Sequence, residues 1–351
     1  MSWAAQEFEG LGLGDARRTQ RLIKLVDDLS AQPTGSIPLA CRGWPETKAA
    51  YRLLDNPAVE WREILEVHTT RTVERMAGQP VVLCLQDTTE LDFTSQPGIA
   101  GLGRLSYEAQ HGLYVHPTLA VTPAGLAVGV LDAWMWARQP KDQPDVKEST
   151  RWVEGYEVVA DLAETLPATR LVYVADREGD IRALLDAAAR RGTPADWLIR
   201  SQHNRNTTTG EKLWARLAQS DALGEAEFTL PAAPDRPARL VRQTLYRTVV
   251  TLPAHHGQPA VTVTAMLARE EQPPAGEKAI EWRLLANRTA DTLEDVVQLI
   301  DWYRKRWLIE IFFRIWKSGC RVEALQLGTL ERLERALVIY LIIAWRILHL
   351  V

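Results

Sequence analysis

Apolar and polar positions change period several times along this chain. In LGDARRTQRLIKLVDDLSA, Leu22, Leu25, Val26 and Leu29 share one face, while Arg17, Arg21 and Lys24 recur at i, i+4 and i+7 on another. That pattern predicts an amphipathic helix with Asp15 as its N-cap. After the turn residues PTGSIP, the segment WPETKAAYRLLDNP predicts a second helix with Lys48 and Arg52 at i, i+4. The period then shortens. Residues 81–85 (VVLCL) form a continuous apolar run behind Pro80, as expected of a strand buried on both faces. Residues 114–121 and 126–134 predict two more strands, joined by Thr122-Pro123-Ala124-Gly125. A helix over 149–162, a buried strand over 171–175, a helix ending at Arg190 and a short strand over 197–200 follow. From about Asn204 to Glu281, strand-like runs such as 238–250 and 260–268 alternate with turns and read as a β-rich insertion.

Helical periodicity returns in DWYRKRWLIEIFFRIWKSG, residues 301–319. At 100° per residue, Tyr303, Arg306, Glu310 and Lys317 fall within about 60° of one another. Trp307 and Arg314 widen that face, while Trp302, Leu308, Ile309, Phe312, Phe313 and Trp316 form an apolar stripe. Two readings of the polar face stand side by side: a solvated basic surface with one paired glutamate, or a functional face. The two basic N-terminal helices read in two ways as well, as a small nucleic-acid-binding unit or as a bundle with solvated arginines.

Three meandering strands, then helix, strand, helix, strand, match a ribonuclease-H-like mixed α/β arrangement in which the first and fourth strands are neighbours. Asp87 and Asp176 each close one of those two strands. An isolated strand-end aspartate is usually a turn former. Two at one end of a sheet would repel and raise each other's pKa, and a divalent cation relieves that repulsion. All-oxygen ligands suit Mg²⁺ or Mn²⁺.

Composition changes this picture little. At 351 residues, 46% hydrophobic and 25% charged, the chain is ordinary globular material for one large domain plus a small one, or for two domains. Cys41, Cys84 and Cys320 show no metal-ligand spacing and read as buried thiols of a reducing cytoplasm. The start, MSWAAQEFEG, lacks the features of a secretion signal. Residues 336–351 are too short for a membrane span, carry Arg346 and His349, and read as a core helix. A net charge of −4 argues against a histone-like coat but leaves room for local basic patches.

Tyr303, Arg306, Glu310 and Lys317 stand at Tyr-x2-Arg-x3-Glu-x6-Lys spacing. With QDTTELDF around Asp87, ADREGDI around Asp176, and the blocks LGDARRTQRL and AAYRLLDNP, the chain resembles the bacterial cut-and-paste DDE transposases. The resemblance is to the insertion-sequence-four group, which includes the transposon-five transposase, and runs from about Trp3 to the end. It implies that Asp87, Asp176 and Glu310 hold two Mg²⁺ or Mn²⁺ ions and catalyse DNA cleavage and strand transfer. It implies DNA contacts by Tyr303, Arg306, Lys317 and Arg200, handling of a flipped base by Trp282 and Trp307, and end recognition by Arg17, Arg18, Arg21, Tyr51 and Arg52. The implied partners are double-stranded transposon ends and target DNA, with a homodimer in the synaptic complex, no membrane, and a cytoplasmic, nucleoid-associated location.

The expected organisation is a helical DNA-binding region (1–70), a catalytic core in two parts (71–203 and 286–351) and the insertion (204–285). The resemblance also implies a further C-terminal dimerisation region beyond Leu350-Val351. Its absence suggests a truncated chain that associates weakly and exposes an apolar patch near Ile342, Ile343 and Ile347. Two other functions fit the same residues: a metal-dependent nuclease or resolvase that never joins DNA, and a non-catalytic transposase derivative acting as an inhibitor.

Overall fold

A short helix at Trp3–Glu7 (α1) precedes α2 (Ala16–Ala31). Asp15 caps α2 as expected, its carboxylate accepting the Arg17 backbone N–H at 2.8 Å. Leu22, Leu25, Val26 and Leu29 are all buried. Then come α3 (Ile37–Cys41), α4 (Trp44–Leu54) and α5 (Trp61–Met76). This is a computed structural model, and it describes residues 1–351 apart from 141–142, 145–146 and 233–236. The last four of these fall inside the expected β-rich insertion.

The first strands are β1 (Val81–Gln86), β2 (Thr89–Asp92), β3 (Gly103–Arg104), β4 (His111–Val121) and β5 (Ala127–Trp136). All of β1 beyond Val81 is buried, as its unbroken apolar run requires. Strand β4 organises this sheet. It pairs antiparallel with β5, with β1 through residues 118–121 and with β2 through residues 112–115. Asp87 and Thr88 therefore lie in a break in the ladder opposite His116 and Pro117, and proline has no N–H to continue it.

The chain forms two compact units, Met1–Arg151 with Trp307–Val351, and Trp152–Arg306. The second is built from most of α6 (Thr150–Thr165), then β6 (Arg170–Ala175), α7 (Arg182–Arg190), β7 (Asp196–Arg200) and α8 (Leu213–Ala218). Strands β8 (Ala222–Leu230), β9 (Arg239–Leu252), β10 (Val261–Arg269) and β11 (Glu281–Ala286) follow, and α9 (Leu293–Lys305) closes the unit. β6 and β7 are parallel, with Ala175 opposite Ile199. β11 pairs antiparallel with β7, and β10, β9 and β8 extend the same sheet in turn. The strands expected in the insertion thus continue the sheet begun by β6 and β7.

The return to the first unit departs from expectation. Residues 301–319 are not one helix. α9 ends at Lys305 and α10 spans Trp307–Arg314. A π turn at Ile315–Gly319 follows, closed by the Cys320 N–H on the Ile315 carbonyl at 2.7 Å. After a 3-10 turn at Val322–Ala324, α11 (Leu330–Leu350) ends the chain. The expected exposed patch is absent at two of its three positions, since Ile342 and Ile343 are 0% and 1% exposed. The first unit itself covers α11. Trp345 Nε1 donates to the Ala127 carbonyl at 3.2 Å, and the Arg335 guanidinium donates to the carbonyls of Val59 and Leu54. Among the described residues no helix is long and apolar enough to cross a membrane.

Candidate active site

In the second unit the parallel pair β6–β7 sets the geometry. Ala175 faces Ile199, so the residues that close the two strands, Asp176 and Arg200, emerge side by side at their carboxyl ends. That end is where parallel sheets place ligands. The Asp176 carboxylate accepts the Glu178 backbone N–H at 2.7 Å and so starts the 3-10 turn Arg177–Gly179. α9, capped reciprocally by Thr292 and Asp295, brings Tyr303 and Arg306 to the same place. Burial pushes the Tyr303 phenol up, against the pull of the Arg306 and Arg200 charges, and Asp176 adds to the rise. Arg306 also donates a hydrogen bond to the phenol oxygen. Four of the residues singled out in the sequence are therefore brought together: Asp176, Arg200, Tyr303 and Arg306.

Tyr303 and Arg306 are only 5% and 8% exposed, so the reading of 301–319 as a solvated basic face fails for both. Trp282, on β11, is half-buried between Phe228, stacked at 5.4 Å, and Tyr303 at 6.2 Å. Arg304 lies over the other aromatic of that run, 4.4 Å from the Phe228 ring. Trp307 differs, with 61% of its surface exposed. Phe228 carried no signal in the sequence, because its pairing with Trp282 is made across the sheet.

In the first unit, Asp87 lies in the ladder break after β1, half-exposed, and accepts the Thr88 backbone N–H at 2.8 Å. Behind it the Thr88 hydroxyl meets His116 Nδ1 at 2.7 Å. Burial, with the charge of Arg151, pushes the His116 imidazole down to about 3. Glu310 sits in the first turn of α10 and is half-exposed. The π turn delivers Lys317 to β2, where its ammonium donates to the Glu90 carbonyl at 2.7 Å and pairs with Glu323 at 3.3 Å. Asp87 and Glu310 belong to the first unit and Asp176 to the second. Among the described residues no group of three or more His, Cys, Asp or Glu side chains is placed to hold a metal ion.

On the N-terminal helices, Arg17 pairs with Asp15 at 3.0 Å, Arg18 donates to the Leu13 carbonyl at 3.1 Å, and Arg21 bridges from α2 to Glu46 on α4. Tyr51 and Arg52 are exposed on α4. Arg18 and Arg21 thus support the local fold, while Arg17, Tyr51 and Arg52 face outward.

Residues 1–59 match a family model described as transposase DNA-binding, and residues 153–346 match one described as transposase DDE domain. A cryo-EM structure of a piggyBac transposase synaptic complex with hairpin DNA is similar at a TM-score of 0.43 and 11% identity. The alignment covers 95% of this chain, which spans 64% of that one. With more than half its length matched by the transposase DDE domain, the chain belongs to the DDE transposases.

Proposed function

We propose that this protein is a cut-and-paste transposase. On this reading it cleaves DNA at the ends of an element and joins the freed 3′ ends to target DNA, through Asp87, Asp176 and Glu310. The observation that carries the reading is the gathering of Asp176, Arg200, Tyr303 and Arg306 at the carboxyl ends of β6 and β7. A carboxylate beside two arginines and a neutral phenol offers a metal ligand and phosphate donors in one place. The ribonuclease-H-like core, flanked by a helical DNA-binding region and a β-rich insertion, is part of the same reading.

The donor chemistry fits a hard dication: all three acidic side chains offer oxygen, and all three are half-exposed. Asp87, Asp176 and Glu310 would hold Mg²⁺ or Mn²⁺, two ions in this family's scheme, and the metal supplies Lewis-acid activation of the nucleophile and leaving oxygen. The chain's own residues do the rest. Arg306 and Arg200 neutralise the phosphate, for which a guanidinium is suited by its two-pronged donors. Lys317, already held on β2, adds a point charge. Exposed Trp307, with Trp282 behind Tyr303, provides ring faces on which an unstacked base can lie. Outward-facing Arg17, Tyr51 and Arg52 contact the end sequence, Arg18 and Arg21 brace the helices that present them, and two protomers pair to hold two ends.

The test is incubation of the protein with end-containing duplex and Mg²⁺ or Mn²⁺, scoring nicks and joined products separately. Both products are expected. Nicks without joining would make it a nuclease, and neither product, with binding intact, would make it a non-catalytic DNA-binding protein.

A further inference from the structure

Asp180 lies four residues after Asp176, and its side chain is 0% exposed. All three of its oxygens engage one loop. Oδ2 accepts the backbone N–H groups of Gln202 at 2.6 Å and His203 at 2.8 Å. Oδ1 accepts Arg205 Nη1 at 2.5 Å, and the Asp180 carbonyl accepts Arg205 Nη2 at 2.7 Å. That loop starts directly after Arg200. Its near end is pinned by the Ser201 N–H on the Arg283 carbonyl at 2.7 Å, and Asn204 Oδ1 accepts the Trp214 N–H at 2.9 Å.

The other side of the tie is equally fixed. At Gly179 an added Cβ would lie 2.6 Å from Ala175 Cβ and 3.2 Å from the Trp152 ring, so the 176–180 turn is pressed against its own strand. A buried ion pair is a poor source of stability, because desolvation offsets most of its attraction. Its geometry here joins the turn that starts at Asp176 to the loop that starts after Arg200. We infer that the Asp180–Arg205 pair is a positioning device that holds Arg200 at a set place beside Asp176, so that the guanidinium meets a DNA phosphate next to the carboxylate. This rests on the reading of Arg200 as a DNA contact. Asp180 and Arg205 touch no DNA themselves.

The test reads phosphate contacts directly and needs neither metal nor cleavage. Affinity for a labelled end-containing duplex is measured against salt concentration for the whole chain and for Arg200→Ala, Arg205→Lys, Asp180→Asn and Arg200→Ala/Arg205→Lys, with a thermal melt of each. Arg200→Ala should lower the slope of log affinity against log salt by about 0.9, one phosphate contact. Arg205→Lys keeps the charge but loses the two-pronged grip, and should lower the slope nearly as much. Asp180→Asn should do the same, although removing a negative charge would by itself favour DNA. The double variant should fall no further than Arg200→Ala alone. If Arg200→Ala lowers the slope while Arg205→Lys and Asp180→Asn do not, the pair is merely structural and the inference fails alone. Additive losses in the double variant overturn it too. An unchanged slope in Arg200→Ala removes the DNA-contact reading of Arg200, and the inference with it. Should a single substitution melt the protein, the neutral pair Asp180→Asn/Arg205→Gln keeps hydrogen bonding across the tie without charge and is judged by the same slope.

Discussion

Tyr303 is buried with its hydroxyl accepting from Arg306 and with Arg200 and Asp176 near enough to perturb it. A tyrosine phenol is ordinarily neutral at pH 7, and burial pushes this one further up; on the proposed reading it orients Arg306 toward the phosphate. Tyr303→Phe should therefore leave the fold intact and slow nicking by about tenfold, the scale of one lost hydrogen bond to a charged group. Single-turnover rates at saturating protein check this, and an unchanged rate would remove the hydroxyl from the account. A second residue-scale prediction concerns pH. His116 titrates near 3 when folded and near 6.5 when unfolded, so between those values the unfolded chain binds the extra proton. The stability it contributes is complete above about pH 6.5 and is lost as pH falls toward 3. His68, also pushed down by burial although Glu7 opposes the shift, acts in the same direction. The melting temperature of His116→Gln should change less steeply than that of the parent between pH 6.5 and 4.5, and parallel curves would contradict this. Neither histidine announced itself in the sequence, because its burial comes from packing between distant segments: His68 lies between Glu7 and the backbone of Val130.

Elements were most legible where one periodicity ran unbroken. The apolar run at 81–85 and that at 171–175 each became a buried strand within one residue at either end, β1 and β6, and Asp15 capped its helix. The stretch 301–319 was misjudged because the wheel assumes a constant 100° step. The π turn at Ile315–Gly319 changes that step, so a constant-step count from Tyr303 misplaces Lys317, whose ammonium reaches the Glu90 carbonyl on β2. No residue pattern marks a π turn. Two substitutions test elements directly. Gly179→Ala presses a methyl group into Ala175 and Trp152 and should cost about 1–3 kcal/mol by chemical denaturation. Thr292→Ala removes the N-cap of α9 and should cost about 1 kcal/mol. A neutral result at Gly179 would mean that the 176–180 turn has room to shift, which would weaken the case for a fixed Asp176.

At the scale of the molecule, the carboxylates ascribed to one metal site come from two units: Asp87 and Glu310 from the first, Asp176 from the second. The sequence marked all three through the spacing around Glu310 and the strand ends at Asp87 and Asp176. Phe228, Asp180 and Arg205 went unassigned, because what they do depends on contacts between segments that lie apart in the chain. On the proposed reading the three carboxylates act as one metal-dependent cleavage site. The most direct test of this central claim is single-turnover nicking of end DNA in Mg²⁺ and Mn²⁺ by Asp87→Ala, Asp176→Ala and Glu310→Ala, with end binding and circular dichroism measured on the same preparations. All three should lose nicking while binding stays near normal, since phosphate and base contacts supply most of the affinity. Near-normal nicking by any one of them would take that residue out of the site and contradict the claim.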